Sequence, residues 1–281
     1  MTYTSFSLSV SDHVAQLVLC RPDKLNSLTI EFFQELLDVC RALERRSDVR
    51  VLVISSTGKH FTCGLDLMAL GSLAADLGHG ERSRAAYTLR TCVHELQQSI
   101  SAVEALRIPV LIAVHGGCVG GGVDLATACD LRYCTADSFF CVQETNVGLV
   151  ADLGTLQRLP KLIPDGIARE LCFTGRRLPA DRALALGLVS AVFPDHETML
   201  REVNKTAQEI ASKSPLVTAG IKDVLHFGRD HGIKDGLSYV AVWNAGMLSA
   251  QDLMEQAAAK GAGRPARYDD LPAPKDLVKV R

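Results

Sequence analysis

The sequence predicts an α/β fold: a mainly parallel sheet packed with helices up to about residue 195, followed by a helical C-terminal region. Three observations predict it. Segments of strand period and helix period alternate from Phe6 to Val114, the order expected of βαβ units. Val51-Leu-Val-Ile54 and Val110-Leu-Ile-Ala-Val114 are unbroken apolar runs of strand length, far short of the 20 or so residues a membrane span needs. Beyond residue 195 strand signals vanish and helical periods take over.

Alternation in Phe6-Ser-Leu-Ser-Val10 and Val14-Ala-Gln-Leu-Val-Leu19 marks two strands joined by a turn at Ser11-Asp-His13. Arg21-Pro-Asp-Lys-Leu-Asn26 is a loop by composition. Thr29 is placed to cap a helix whose apolar face is Phe32, Phe33, Leu36, Leu37, Cys40 and Leu43. The strand Val51–Ile54 ends at Ser55-Ser-Thr-Gly58. From Arg84 to Leu106 the apolar residues Leu89, Val93, Leu96, Ile100 and Val103 recur at helical spacing, and Pro109 stops that helix before the next strand. Residues 197–213, 215–229 and 234–260 read as helices, the last carrying Leu237, Val240, Trp243 and Met247. From Gly261 the tail reads as extended and surface-bound. The implied organisation is a core over 1–195 and a helical region with its tail over 196–281.

Of 281 residues, 47% are hydrophobic and 22% charged, with a net charge of −2, enough apolar material for a core without staples. The same balance excludes disorder. With 5% aromatic residues and no basic stripe, nothing suggests a nucleic-acid surface. Nine cysteines, an odd number with no C-x-x-C pair, read as small buried hydrophobes and imply an intracellular, reducing compartment. Neither a secretory leader nor a terminal S-K-L address is legible, leaving cytoplasmic, mitochondrial and peroxisomal settings open. The histidines show no H-x-x-x-H pairing and no G-x-S-x-G elbow exists, so neither a metal site nor a serine hydrolase is expected.

The most informative stretch is His115-Gly-Gly-Cys-Val-Gly-Gly-Gly-Val-Asp124-Leu-Ala-Thr-Ala-Cys-Asp130, between a buried strand and a helical segment. It fits no G-x-G-x-x-G register and lacks a P-loop Lys-Ser/Thr. What remains is bare backbone entering a helix, able to aim N–H groups at developing negative charge, or simply to let strand and helix pack closely. A second loop, His60-Phe-Thr-Cys-Gly-Leu-Asp66, could supply another such N–H. Downstream, Glu144 and Asp152 stand among apolar residues, where a carboxyl pKa rises toward neutrality. Either could equally be a structural carboxylate, with Asp152 capping a helix from Leu153. Asp124, in the first turn after the glycines, is expected to be held as the anion by the helix dipole. His60 and His115 read as packing residues.

These two loops resemble the signature stretches of the crotonase, or enoyl-CoA hydratase/isomerase, superfamily. Arg21-Pro-Asp-Lys-Leu-Asn-Ser-Leu28, Ala168–Phe173, Gly175-Arg-Arg177 and Ala183–Ala191 resemble further family segments, so the likeness spans roughly residues 5–260. The order Asp124, Glu144, Asp152, the last inside Val147-Gly-Leu-Val-Ala-Asp-Leu-Gly-Thr-Leu-Gln-Arg-Leu-Pro160, is similar to the dienoyl-CoA isomerase branch. The resemblance implies a crotonase-like core of ββα units and an acyl-CoA site. It implies that Glu144 and Asp152 carry protons, that Asp124 tunes them, and that Leu65 and Gly121 N–H groups form the oxyanion hole. Lys24, Leu25, Cys63, Gly64 and Gly120 would contact the coenzyme A thioester, which belongs to the substrate, so no separate cofactor is expected. The apolar helices after 195 would build a homotrimer or a dimer of trimers. The alternative reading is a 2-enoyl-CoA hydratase holding water between Asp124 and Glu144. An apolar wall of Val147, Leu149 and Val150 is expected to disfavour that water.

Overall fold

A computed structural model of the chain describes residues 3–66, 71 and 81–274. Strands β1 (Phe6–Ser11) and β2 (Val14–Leu19) form the expected hairpin. Its turn residues Asp12 and His13 take φ of 47° and 65°, the paired left-handed conformation of a type I′ turn. Strands β3 (Val51–Ser56), β4 (Val110–Val114), β6 (Leu131–Thr135) and β9 (Ala191–Phe193) add in parallel, giving the order β1-β2-β3-β4-β6-β9. A second, three-stranded sheet takes β5 (Gly117–Val119), β7 (Phe139–Cys141) and β8 (Leu178–Pro179) in the order β5-β7-β8.

Side chains alternate across a strand, so an unbroken apolar strand must be covered on both faces. Leu52, Ile54, Val110, Ile112 and Val114 face the larger core, with Phe32, Phe33 and Leu36 of α1 (Ile30–Glu44) and Ile100 and Val103 of α2 (Arg82–Ala105). The Thr29 hydroxyl caps α1 by accepting the Phe32 N–H, and the Glu81 carboxylate caps α2. Val51, Val53, Leu111 and Ala113 face a second core, filled by Met199, Val203, Ala207 and Ala211 of α7 (His196–Ala211). The first helix after residue 195 is therefore a layer of the core.

Between these lie α3 (Gly121–Ala128), α4 (Thr155–Leu162), α5 (Asp165–Thr174) and α6 (Ala180–Ala185); α8 (Pro215–Asp230) follows α7. The single helix expected over 234–260 is two, α9 (Ile233–Met247) and α10 (Ala250–Gly261). The break falls at Leu248-Ser249, where the Ser249 hydroxyl accepts the Asp252 N–H. Apolar spacing ran through this cap and concealed it. The tail is pinned at the surface: Arg50, itself buried, donates to the Tyr268 carbonyl at 2.7 Å and to Asp270 at 2.7 Å.

Candidate active site

Three segments read separately in the sequence are laced into one assembly by backbone hydrogen bonds. Phe61 N donates to His115 O at 2.8 Å, Thr62 N to Gly117 O at 3.1 Å and Val119 N to Thr62 O at 3.2 Å. On the other side Cys63 N reaches Leu25 O at 3.0 Å, Leu28 N reaches Gly64 O and Asp66 N reaches Leu28 O, both at 2.9 Å. Lys24, Leu25, Cys63, Gly64 and Gly120 thus share one locality, with Lys24, Leu25 and Cys63 exposed along its rim.

Asn26, buried and left-handed at φ 53°, ties the assembly together. It donates to Thr57 O and His60 O, at 2.7 and 3.0 Å, and accepts from Arg21 N. His60 accepts the Gly117 N–H at 3.0 Å, and His115 bonds Gly58 O at 2.9 Å and lies against His196. Both histidines hold loops, which is the packing role expected of them.

Two glycines set the spacing. Gly64 has φ 93°, and a Cβ there would lie 2.9 Å from the Val119 carbonyl oxygen. Gly120 has φ 52°, and a Cβ there would lie 3.2 Å from Glu144 Oε1. Only glycine tolerates both the conformation and the approach. The residues that follow them are Leu65 and Gly121. Among the described residues neither N–H has a backbone partner: Leu65 turns its N–H away from its bridge to Leu28, and Gly121 is the first residue of α3.

The three carboxylates converge behind this point. Asp124 is fully buried in α3, and its Oδ1 accepts the Thr155 N–H at 2.6 Å while Oδ2 has no partner among the described residues. Burial pushes its pKa to about 6, and Asp152 adds to the rise. The helix dipole expected to favour the Asp124 anion does not set its pKa, because desolvation outweighs a partial charge at the helix end. Glu144 opens a 3₁₀ turn, Glu144–Val147, and is half-buried. Burial, then Asp124 and Asp152, push it to about 7, and its Oε2 has no partner among the described residues.

Asp152 occupies the more open end, and partial burial raises its pKa. It does not cap a helix. α4 begins at Thr155, two residues later than expected, with Gly154 at the cap, and its free N–H goes to Asp124. Val147, Leu149 and Val150 are 48%, 45% and 75% exposed, so in the single chain they do not form the closed apolar wall expected of them.

Sequence reasoning missed Asn26, Thr155, Gln97 and Arg158. Gln97 donates to the Asp152 carbonyl at 2.6 Å and Arg158 to the Leu153 carbonyl at 3.3 Å. Single polar residues bonding backbone carry no periodic signal; only the Asn26 position, two left-handed residues after a 3₁₀ turn, had a compositional cue in its loop.

The family model for enoyl-CoA hydratase/isomerase matches residues 9–241. A mitochondrial Δ3,5-Δ2,4-dienoyl-CoA isomerase of Pongo abelii is 46% identical over 252 residues, covering 89% of this chain and 77% of the relative. A peroxisomal Δ3,5-Δ2,4-dienoyl-CoA isomerase of Arabidopsis thaliana is 42% identical, covering 92% of this chain and 93% of the relative. The crystal structure of an enoyl-CoA hydratase from Bacillus anthracis superposes with a TM-score of 0.85 at 28% identity, covering 95% of this chain and 99% of that one. With a family match across most of its length and the crotonase architecture in its sheets, this chain belongs to the enoyl-CoA hydratase/isomerase family.

Proposed function

We propose that the chain is a dienoyl-CoA isomerase, converting a 3,5-dienoyl-CoA to the 2,4-isomer in fatty-acid β-oxidation. The observation that carries the reading is the convergence of three acids, two with pKa pushed to about 6 and about 7, beside two backbone N–H groups that have no backbone partner among the described residues. The identity with proteins named for that activity supports it.

The chemistry needs this set. A carboxylate takes the C2 proton, and the electron pair moves into a dienolate whose charge rests on the thioester oxygen. Leu65 and Gly121 N–H groups receive that oxygen, each donor contributing a factor of about 10²–10³. A second acid then protonates C6, so the double bonds settle at C2–C3 and C4–C5. The two carbons are several bonds apart, so Glu144 and Asp152 divide the transfers. Asp124, held by Thr155, raises the proton affinity of Glu144. Lys24 offers a cation to the coenzyme A phosphates, with Leu25, Cys63, Gly64 and Gly120 around the thioester. No group beyond substrate-borne coenzyme A is required.

No described helix is long and apolar enough to cross a membrane. Free cysteines, five of them buried, fit a reducing compartment, and the named relatives are mitochondrial or peroxisomal. Ile233, Leu237 and Met247 of α9 are 85%, 64% and 52% exposed, an apolar surface suited to a trimer or a dimer of trimers. The functional test is an absorbance assay of purified chain with 3,5-dienoyl-CoA and, separately, 2-enoyl-CoA. Appearance of the conjugated 2,4-dienoyl thioester supports the isomerase. Hydration of the 2-enoyl thioester alone would replace it with the hydratase reading.

A further inference from the structure

Beside Leu153 and Gly154 lies a cavity of about 620 Å³, lined also by Gln97, Ser101, Glu104, Arg158 and Arg229. Its floor holds a set of polar contacts that the proposed proton transfers do not use. The Arg158 guanidinium donates twice to Glu104 Oε2, at 3.0 and 2.8 Å, and to Ser101 Oγ at 3.2 Å, both on α2. Its remaining nitrogen reaches the Leu153 carbonyl at 3.3 Å. Glu104 is held from the other side by Arg229 of α8. One step along the chain, Gln97 of α2 donates to the Asp152 carbonyl at 2.6 Å. Gly154, at φ 128°, lets the guanidinium lie against the backbone, since a Cβ there would sit 1.7 Å from Arg158 Nη1.

Two of these contacts end on residues 152–155, Gln97 on the Asp152 carbonyl and Arg158 on the Leu153 carbonyl, while Glu104 and Ser101 hold the Arg158 side chain. That segment carries Asp152 at one end and, at the other, the Thr155 N–H that holds Asp124. Gln97 and Arg158 each grip a carbonyl of the segment. Arg158 and Glu104 are nearly buried, 11% and 16% exposed, so the grip is a rigid, desolvated fork. A pair serving only to join α2 to α4 would not need to reach into the loop between them.

We propose that Arg158, anchored on Glu104, and Gln97 are positioning residues that fix the Asp152–Thr155 segment and thereby the geometry of the acids. The inference rests on the functional reading above for the roles of Asp152 and Asp124. The charges facing Asp124 are Asp152, which raises its pKa, and Arg158, which lowers it. Glu144 faces it as well, with the thiols of Cys118 and Cys172 nearby. Arg158 thus acts on Asp124 through its charge as well as through the backbone.

The test compares wild type with Arg158→Met, Arg158→Lys and Gln97→Met in two measurements. The first is steady-state turnover of 3,5-dienoyl-CoA. Misplacing a catalytic group by about 1 Å costs about 10²-fold. Arg158→Met should therefore lose about 10²-fold in kcat, with KM within about threefold of wild type. Arg158→Lys should recover part of that loss, and Gln97→Met should fall between. The second is a titration of the Asp124 carboxyl by ¹³C NMR on labelled protein, which reads the site whether or not the substrate is turned over. Arg158→Met should move that titration to higher pH and Arg158→Lys should restore it. Wild-type kcat and an unmoved titration in Arg158→Met would overturn the proposal. So would a fall in melting temperature with kcat per folded molecule and titration unchanged, which would make the ion pair a packing device. An inactive wild type with a shifted titration would strike the functional reading and leave the positioning role standing.

Discussion

The backbone N–H of Thr155 donates to Asp124 Oδ1 at 2.6 Å, so a fully buried carboxylate of one helix caps the first turn of another. This bond links the glycine-rich segment, which carries Asp124, to the segment that carries Asp152. It also confines Asp124 to one oxygen's worth of satisfaction, which leaves burial free to raise its pKa.

Asp124→Asn keeps an oxygen for the Thr155 N–H and removes the charge. Its effect on turnover should be milder than that of Glu144→Gln or Asp152→Asn. Loss of the Asp124 charge should also lower the pKa of Glu144, because that charge raises it. The apparent pKa of the kcat/KM profile should move to lower pH in this variant, checked by steady-state kinetics across pH 5–9.

The same variant should be more stable at alkaline pH. The folded-state pKa of Asp124, about 6, lies above its ordinary 3.8, so the native state holds the proton more tightly than the unfolded chain. Stability from that carboxyl is fully present below about 3.8 and is lost as pH rises through about 6. Asp124→Asn should gain about 1–3 kcal/mol at pH 8 and nothing near pH 3.5. Urea unfolding at both pH values measures this, and equal stabilities at pH 8 would refute it.

Gly64→Ala tests the loop spacing. With φ at 93° and the new Cβ 2.9 Å from the Val119 oxygen, the backbone must shift, and Leu65 N–H moves with it. Loss of one oxyanion donor costs about 10²–10³ in kcat. A folded Gly64→Ala protein, checked by circular dichroism, that keeps wild-type kcat would contradict the placement of the oxyanion hole.

Lys24→Ala should raise KM more than it lowers kcat, since a remote charge contact binds ground state and transition state alike. Titration of rates against dienoyl-CoA concentration separates the two. A collapse of kcat at unchanged KM would remove Lys24 from the coenzyme A contacts.

The exposed apolar face of α9 predicts an assembly. Sedimentation at micromolar concentration should give the mass of three or six chains. A monomer would leave that face without its expected cover.

Much of this was legible in the sequence because it rests on period and punctuation. The unbroken apolar runs of β3 and β4, the Thr29 cap and the His13 turn are local signals, and each falls where the spacing predicts. The strand order of the two sheets was legible only as a class, since β5 to β9 are two to five residues long and carry too few positions for alternation. In the site, the glycines and acids were visible as chemistry in unusual company. The bonds that organise them were not, because Asn26, Gln97, Thr155 and Arg158 reach groups distant in sequence. The same blindness left a helix cap open as the alternative for Asp152 and put the helix dipole above burial at Asp124: both readings used only neighbours along the chain, whereas burial is set by the fold.

Glu144 and Asp152 dividing two proton transfers is tested by isotope exchange in deuterated water. Glu144→Gln and Asp152→Asn should each lose about 10²–10⁴-fold in turnover, with a double variant far from additive. Incubated with 3,5-dienoyl-CoA in deuterated water, the variant that keeps the C2 base should exchange the C2 proton without delivering one to C6. The other should do neither. Near wild-type isomerisation by Asp152→Asn, with water addition to 2-enoyl-CoA abolished in Glu144→Gln and Asp124→Asn, would contradict the claim and assign the site to hydration.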